Sequence, residues 1–374
     1  MAITVLNTPT SPNVTGTKLV YAISSSNAEQ PQFQYVTDVL LDGTRLTRLL
    51  TYPNPSGLGI LEVSTILDDN LEYDNDWKTS LPAEADDSYK EFELIFSESY
   101  GSSISSSVDF YAGGAQESIK VFPGTVAVEQ GSFNYLDSGS FSILSNTTKS
   151  DLAKGNHATV PMYLPGVNKT FIVNYLDAAG SVLDTTTFSL VTSGQNKIFQ
   201  LPVESGSFGY SAPDWDRITI NEQGETDILF TFRRVIPCTD DGITFVFINN
   251  YGYYEFYSIA NPVRKNTTVS RDTADLPFVD YSTNGTYDGT RRGTDIYNVS
   301  YDDTFDVTTE YLDAELANWL TELFDSPEVY VQENGTFIPV VITDTQYSHN
   351  TNQSRQKLFQ YTFTFKYANQ RYSR

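Results

Sequence analysis

Short runs of alternating apolar and polar residues, separated by turn residues, recur along the whole chain. A side-chain period of two marks half-buried strands, and many such strands at close spacing mark β-sandwiches or related all-β domains. The first runs cover 18–23, 33–40 and 91–96; in the second, Phe33, Tyr35 and Val39 share one face. The turn Leu41-Asp42-Gly43-Thr44 carries the Asp-Gly pair that favours a tight hairpin, with 45–50 as the return strand. Tyr52-Pro53-Asn54-Pro55-Ser56-Gly57 then stops pairing, because proline has no N–H to give a ladder. The Ser-rich stretch 101–107 reads as a loop.

A second hairpin is expected from strands at 170–176 and 181–190 around Asp177-Ala178-Ala179-Gly180, with further strands at 198–201 and 228–232. A buried strand is expected at 243–248, turning through Asn249-Asn250-Tyr251-Gly252 into 253–259. Residues 270–295, rich in Asp, Thr, Gly and Arg, read as a long loop or exposed arm within a region spanning about 260–308. One amphipathic helix is predicted over 309–325, because Leu312, Leu316, Trp319, Leu320 and Leu323 form one stripe on a 3.6-residue period. Glu310, Asp313 and Glu315 suit its positive end, and Pro327 follows its stop. Strands at 329–331, 338–342 and 358–367 complete the chain. In the last, Phe359, Tyr361, Phe363 and Phe365 share a face, and left at an edge it would invite another chain. The expected organisation is an N-terminal β-sandwich domain over 1–125 (immunoglobulin-like, fibronectin-III-like or related), a middle β-domain over 126–230, and a C-terminal β-rich domain over 231–374.

Composition narrows the partners. The 374 residues carry 23 Lys and Arg against 47 Asp and Glu, a net charge of −24, which argues against nucleic acid and against anionic lipid. The 25 Tyr and 23 Phe point to cores built from rings. A single cysteine, Cys238, permits no intrachain disulfide, and no Cys/His cluster suits zinc. The opening residues lack the pattern of a secretion signal and no run is apolar enough to span a bilayer, so the expectation is a soluble chain made in a reducing cytoplasm, without membrane insertion.

The usual catalytic constellations are missing. There is no Gly-x-Ser-x-Gly elbow and no phosphate-binding loop, and His157 and His349 lie in polar, turn-like contexts that suit solvated loops. Carboxylates beside Trp77 (Asp74, Asp76) and Trp215 (Asp214, Asp216) could serve a glycosidase, and the two indoles could stack a glycan. Asp74-Asn75-Asp76 begins like a calcium loop but lacks the later ligands, and the other Asp doublets lack ligand spacing. No catalytic residue, metal or cofactor is therefore assigned. The basic clusters Arg233-Arg234, Arg291-Arg292 and Arg371 with Arg374 read either as plain surface charges or, the reading preferred in so acidic a chain, as partners for the acidic surface of a neighbouring copy or subunit.

Three stretches carry a family likeness. Phe33-Gln34-Tyr35-Val36-Thr37-Asp38-Val39, Asp42-Gly43, Tyr52-Pro53-Asn54-Pro55-Ser56-Gly57-Leu58-Gly59 and Leu61-Glu62-Val63-Ser64-Thr65-Ile66-Leu67 make up the first. Phe245-Val246-Phe247-Ile248-Asn249-Asn250-Tyr251-Gly252 is the second; the helix, Ser326-Pro327-Glu328-Val329-Tyr330, Ile338-Pro339-Val340 and the aromatic C-terminal strand are the third. Together they resemble virion proteins of tailed phages of Bacteroidota-type hosts, over roughly 31–100 and 228–370. The resemblance attaches no catalytic residue. It implies a non-enzymatic structural role in the tail or baseplate of a virion assembled in the host cytoplasm, with copies of the chain and other virion proteins as partners. Alternatives are a neck or head–tail connector piece, or an adhesin for a host surface glycan using Trp77 or Trp215. The expected contact residues are Tyr251, Tyr254, Tyr281, Tyr287, Arg291, Arg292, Phe359, Tyr361, Arg371 and Arg374, with strand-face packing an equal reading for Tyr253 and Phe256.

Overall fold

The computed structural model describes residues 3–73, 78, 81–112, 114–125, 141–203, 214–236, 243–276, 285, 293–333, 335–344 and 358–369, with the backbone of 279–280 and 286–287. The chain is mostly β and forms two compact units. Unit 1 takes residues 1–150, 155–234 and 247–256; unit 2 takes 151–154, 235–246 and 257–374. Among the described residues no helix is long and apolar enough to cross a membrane.

Unit 1 begins with β1 (Ile3–Asn7), β2 (Asn13–Val14), β3 (Val20–Ser25), β4 (Gln34–Leu41), β5 (Thr44–Thr51) and β6 (Leu58–Glu62). A single-turn helix α1 (Ser64–Asp68), β7 (Ala83–Glu84), β8 (Lys90–Gly101), β9 (Val108–Tyr111) and β10 (Gln116–Phe122) follow. One sheet has the order β1-β3-β6, the other β2-β10-β8-β4-β5 with β9 on β8. They share a core: Ile3, Tyr21, Ile23 and Leu61 come from the first, and Tyr35, Val39, Phe92, Leu94, Phe96, Ile119 and Val121 from the second. Each such side chain contributes about 1.5–3 kcal/mol by leaving water. Alternation does the sorting, since Phe92, Leu94 and Phe96 are fully buried while Glu93 and Ile95 between them are not. Asp42 and Gly43, at φ 49° and 72°, form the two-residue loop between Leu41 and Thr44 that their sequence calls for.

The next strands are β11 (Ser142–Ile143), β12 (Lys149–Ala153), β13 (Ala158–Pro165), β14 (Lys169–Leu176), β15 (Val182–Leu190), β16 (Asn196–Val203), β17 (Arg217–Glu222) and β18 (Ile228–Val235). They form sheets of order β11-β13-β16-β7 and β12-β18-β17-β14-β15. The β14–β15 hairpin closes where Asp177 accepts the N–H groups of Ala179 and Ser181, at 2.9 and 2.7 Å. The boundary expected near Pro123-Gly124 lies inside unit 1. β7, from the N-terminal region, pairs with β16, and one apolar cluster draws on Val14, Ala85, Phe122, Leu144, Tyr163, Ile198 and Tyr253. Proline and glycine there end a strand without ending the packing.

β19 (Ile243–Ile248) and β20 (Tyr254–Ile259) are buried along their whole length. Unit 2 adds β21 (Arg264–Asp275), β22 (Val279–Asp280), β23 (Thr286–Tyr287), β24 (Thr294–Thr308), helix α2 (Ala314–Asp325), β25 (Val329–Glu333), β26 (Thr336–Ile342) and β27 (Thr362–Tyr367). The seven-stranded sheet runs β20-β19-β25-β26-β27-β24-β21, with β22 and β23 paired apart. α2 packs through Trp319 on Tyr257, ring centroids 5.8 Å apart, and through Phe324 on Tyr361 and Phe363. It starts at Ala314, five residues later than its periodicity suggests, with the Asp313 side chain capping Leu316 N at 3.1 Å. Leu312 keeps the period by count but exchanges backbone hydrogen bonds with Phe359, which holds the preceding residues extended.

Candidate interaction surface

The region read from sequence as a loop is a ribbon. β21 and β24 pair from Arg264 opposite Asp306 to Asp275 opposite Thr294, and β27 covers only Phe305 to Thr308 of β24. At about 3.4 Å per residue, twelve residues extend about 40 Å, most of that beyond the third strand. Nearly every side chain of β21 is exposed. A two-stranded ribbon buries too little to hold itself by apolar packing, and here polar side chains link the strands. Asn266 donates to Asp306 at 2.7 Å, Thr267 to Asp303 at 2.6 Å, and Asn298 to Asp272 at 2.8 Å. The β-branched residues Thr267, Thr268, Val269 and Thr273 favour the extended backbone.

The register shifts between Asp272 and Thr273, leaving Tyr297 on β24 as the extra residue of a bulge, 70% exposed. Tyr301, Ile296 and Leu276 are also exposed on the arm. Sequence reasoning did not single these residues out, although Tyr297, Val299, Tyr301, Phe305 and Val307 keep a period of two interrupted only at Asp303.

The arm is fixed at its base. Lys265 pairs with Asp303 at 2.8 Å and lies 5.7 Å from the Phe305 ring centroid, and Phe305 stacks on Phe365. Tyr367 donates to Glu333 at 2.5 Å; burial, then this carboxylate, push its phenol well above the usual range. Lys265, Tyr301, Asp302, Asp303, Lys366 and Tyr367 line a small cleft beside these rings. Also at the base of the arm, the Glu310 carboxylate accepts Ala260 N at 2.5 Å and Asn261 N at 3.1 Å, while Asn261 donates to Thr308 O. Glu310 therefore clamps the arm's base rather than charging the helix terminus.

Several expected contact residues lie elsewhere. Tyr254 is 1% exposed, Phe359 7% and Tyr361 6%, so these rings are spent inside their own chain. Tyr361 donates to Ala317 O at 3.1 Å, and β27 sits between β26 and β24 with a strand on each side. The C-terminal strand is thus an interior strand, not an open edge. Tyr253 and Phe256 are buried too, as strand-face packing requires. Tyr251 is half-buried, with its hydroxyl donating to Asn146 at 3.3 Å. The backbone of Tyr287 lies in β23, whereas Tyr281, Arg291, Arg292, Arg371 and Arg374 lie outside the described residues.

The glycan-stacking reading of Trp215 is corrected by its burial, since a side chain with 0% exposure presents no face to a sugar. Arg234 bonds Asp214 at 2.9 Å and the Trp215 carbonyl at 3.1 Å, so that basic side chain is engaged within the chain. His157 is buried, with its ring edge-on to Phe256, instead of solvated in a turn. Trp77, Asp74, Asp76 and His349 lie outside the described residues. Among the described residues no three His, Cys, Asp or Glu side chains gather to hold a metal ion. No family model matches the chain, and no curated protein matches it.

Proposed function

We propose that this chain is a non-enzymatic structural component of a tailed-phage virion, placed in the tail or baseplate, and that it works through contacts with copies of itself and with other virion proteins. The observation that carries the reading is the arm. An anchored ribbon of twelve paired residues, with exposed tyrosines and almost no buried face, has the form of a surface that gains its packing from a neighbour. The resemblance of 31–100 and 228–370 to phage virion proteins supplies the setting. Tyrosines such as Tyr297 and Tyr301 offer large contact area at low entropic cost. A neck or connector position shares these features and is separated only by location on the particle.

The test is immunogold labelling of purified particles with antibody raised against the chain. Label at the tail or its tip is the expected result, label at the neck selects the connector position, and particles that lack the chain would refute the proposal.

A further inference from the structure

We propose that the arm of one copy of this chain lays one side of its ribbon on the outer face of the sheet that holds β4, β5, β8 and β9 in a second copy. The inference rests on the reading of the arm as a subunit contact and names what it touches. The pairing of β21 with β24 sorts the arm into two sides. Val269 stands opposite Tyr301, Arg271 opposite Val299 and Thr273 opposite Ile296, and alternate residues of extended chain share a side. The other side carries Thr268 with Asp302, Ser270 with Ser300 and Asp272 with Asn298, all polar. Between Tyr301 and Ile296, both exposed, the first side is an apolar stripe whose one charge is Arg271. A two-stranded ribbon needs something packed on its apolar side to be stable.

Unit 1 offers a surface of matching character. Phe110 pairs with Ser99 and Ser99 with Gln34, whose side chain donates to the Tyr52 hydroxyl at 2.7 Å, so both rings lie on the side of the sheet turned away from its core. Leu50, two residues before Tyr52, and Val108, two before Phe110, share that side. All four are exposed. Charge selects an arm as the occupant. From 268 to 302 the arm has three arginines against six aspartates, so two arms repel. The outermost strand of the receiving sheet, β5, holds Arg45 and Arg48, and no acid occurs from 43 to 61. Asp38 and Glu93 on the inner strands balance these cations, and Arg48 lies 4.7 Å over the Phe110 ring. An arm therefore meets cations on β5, whereas two average surfaces at a net −24 repel. The contact is heterologous: each copy gives an arm and receives one, which joins copies head to tail into a ring or a filament.

Complementation between two crippled variants tests this, by sedimentation velocity of the purified full chain over a concentration series. L50D/Y52D spoils the receiving face and keeps the arm; I296D/Y301D spoils the arm and keeps the face. The four positions are exposed, so each variant should keep the wild-type melting temperature. If either does not, L50S/Y52S and I296S/Y301S take their place. The wild type is expected to self-associate as concentration rises, and each variant alone to raise the dissociation constant by about tenfold or more. An equimolar mixture of the two should form a dimer and nothing larger, at the wild-type dissociation constant, because one intact arm then finds one intact face. A wild type that stays monomeric at every concentration, a single variant that associates as well as wild type, or a mixture that stays monomeric would each overturn the inference. Since the readout is self-association of purified chain, its failure is distinct from failure of the particle labelling.

Discussion

Gly252 lies so close to Pro123 that a Cβ added to it would stand 2.0 Å from the Pro123 carbonyl oxygen, and its φ is +80°. Backbone at this turn is set by Asn249, whose side chain accepts the N–H groups of Tyr251 and Tyr253 and donates to Leu144 O at 2.7 Å. Left-handed φ alone costs an ordinary residue about 1–2 kcal/mol, and the carbonyl cannot move without disturbing the turn. Gly252→Ala is expected to destabilise unit 1 by more than about 2 kcal/mol in urea denaturation. A variant with wild-type stability would show that the turn is loosely held.

Trp215 is a core residue in this structure. Trp215→Ala should cost about 3–5 kcal/mol of stability, measured by chemical denaturation. A folded, equally stable variant that has lost binding on a glycan array would instead restore the stacking role.

Asp38 and Arg48 face each other across β4 and β5 through two 2.7 Å hydrogen bonds. The bonded guanidinium is the main reason that the Asp38 carboxyl is held below the usual range. The pair's stabilisation is therefore present above the carboxyl's ordinary unfolded value and lost as pH falls through the lower folded one. At a partly exposed site it is worth up to about 1 kcal/mol. Asp38→Asn should lower the melting temperature at neutral pH, with the gap closing in strong acid. A gap that persists there would mean that the ion pair is not its cause.

Asp86 gives the opposite sign. Asp86 is solvent-exposed, and partial desolvation first, with a hydrogen bond to Glu84 second, pushes its carboxyl up, so the folded state loses stability as pH rises from the unfolded value through the raised one. Asp86→Asn should raise the melting temperature at neutral pH and leave it unchanged in acid. Destabilisation at neutral pH would show that the charge on Asp86 is needed, for instance by Lys197, which pairs with Glu84 alongside it.

Local chemistry explains what was legible in the sequence. Asp42-Gly43 specifies its turn without outside help, β8 alternates strictly at Phe92, Leu94 and Phe96, and α2 carries its stripe from Leu316 to Leu323. What was hidden depends on partners distant in sequence. Leu312 left the helix because Phe359 pairs with it, and β27 became interior because β24 and β26 flank it. Trp215 offers no local pattern that marks burial. β21 looked like a loop because its strand propensity comes from threonines, with neither face apolar.

Glu310 ties the arm's base through Ala260 N and Asn261 N. Hydrogen bonds to a charged acceptor are worth about 1.5–3 kcal/mol, so Glu310→Ala should speed amide exchange over 260–264 while leaving α2 protected. Equal exchange in the variant and wild type would remove Glu310 from this role.

The most direct test of the account is amide hydrogen exchange over 264–275, compared between dilute purified chain and intact particles. If neighbouring subunits cover the arm, the outward-facing amides of β21 exchange fast in the dilute chain and become protected in the particle. Equally fast exchange in both would contradict the claim that this arm is where the chain meets its neighbours.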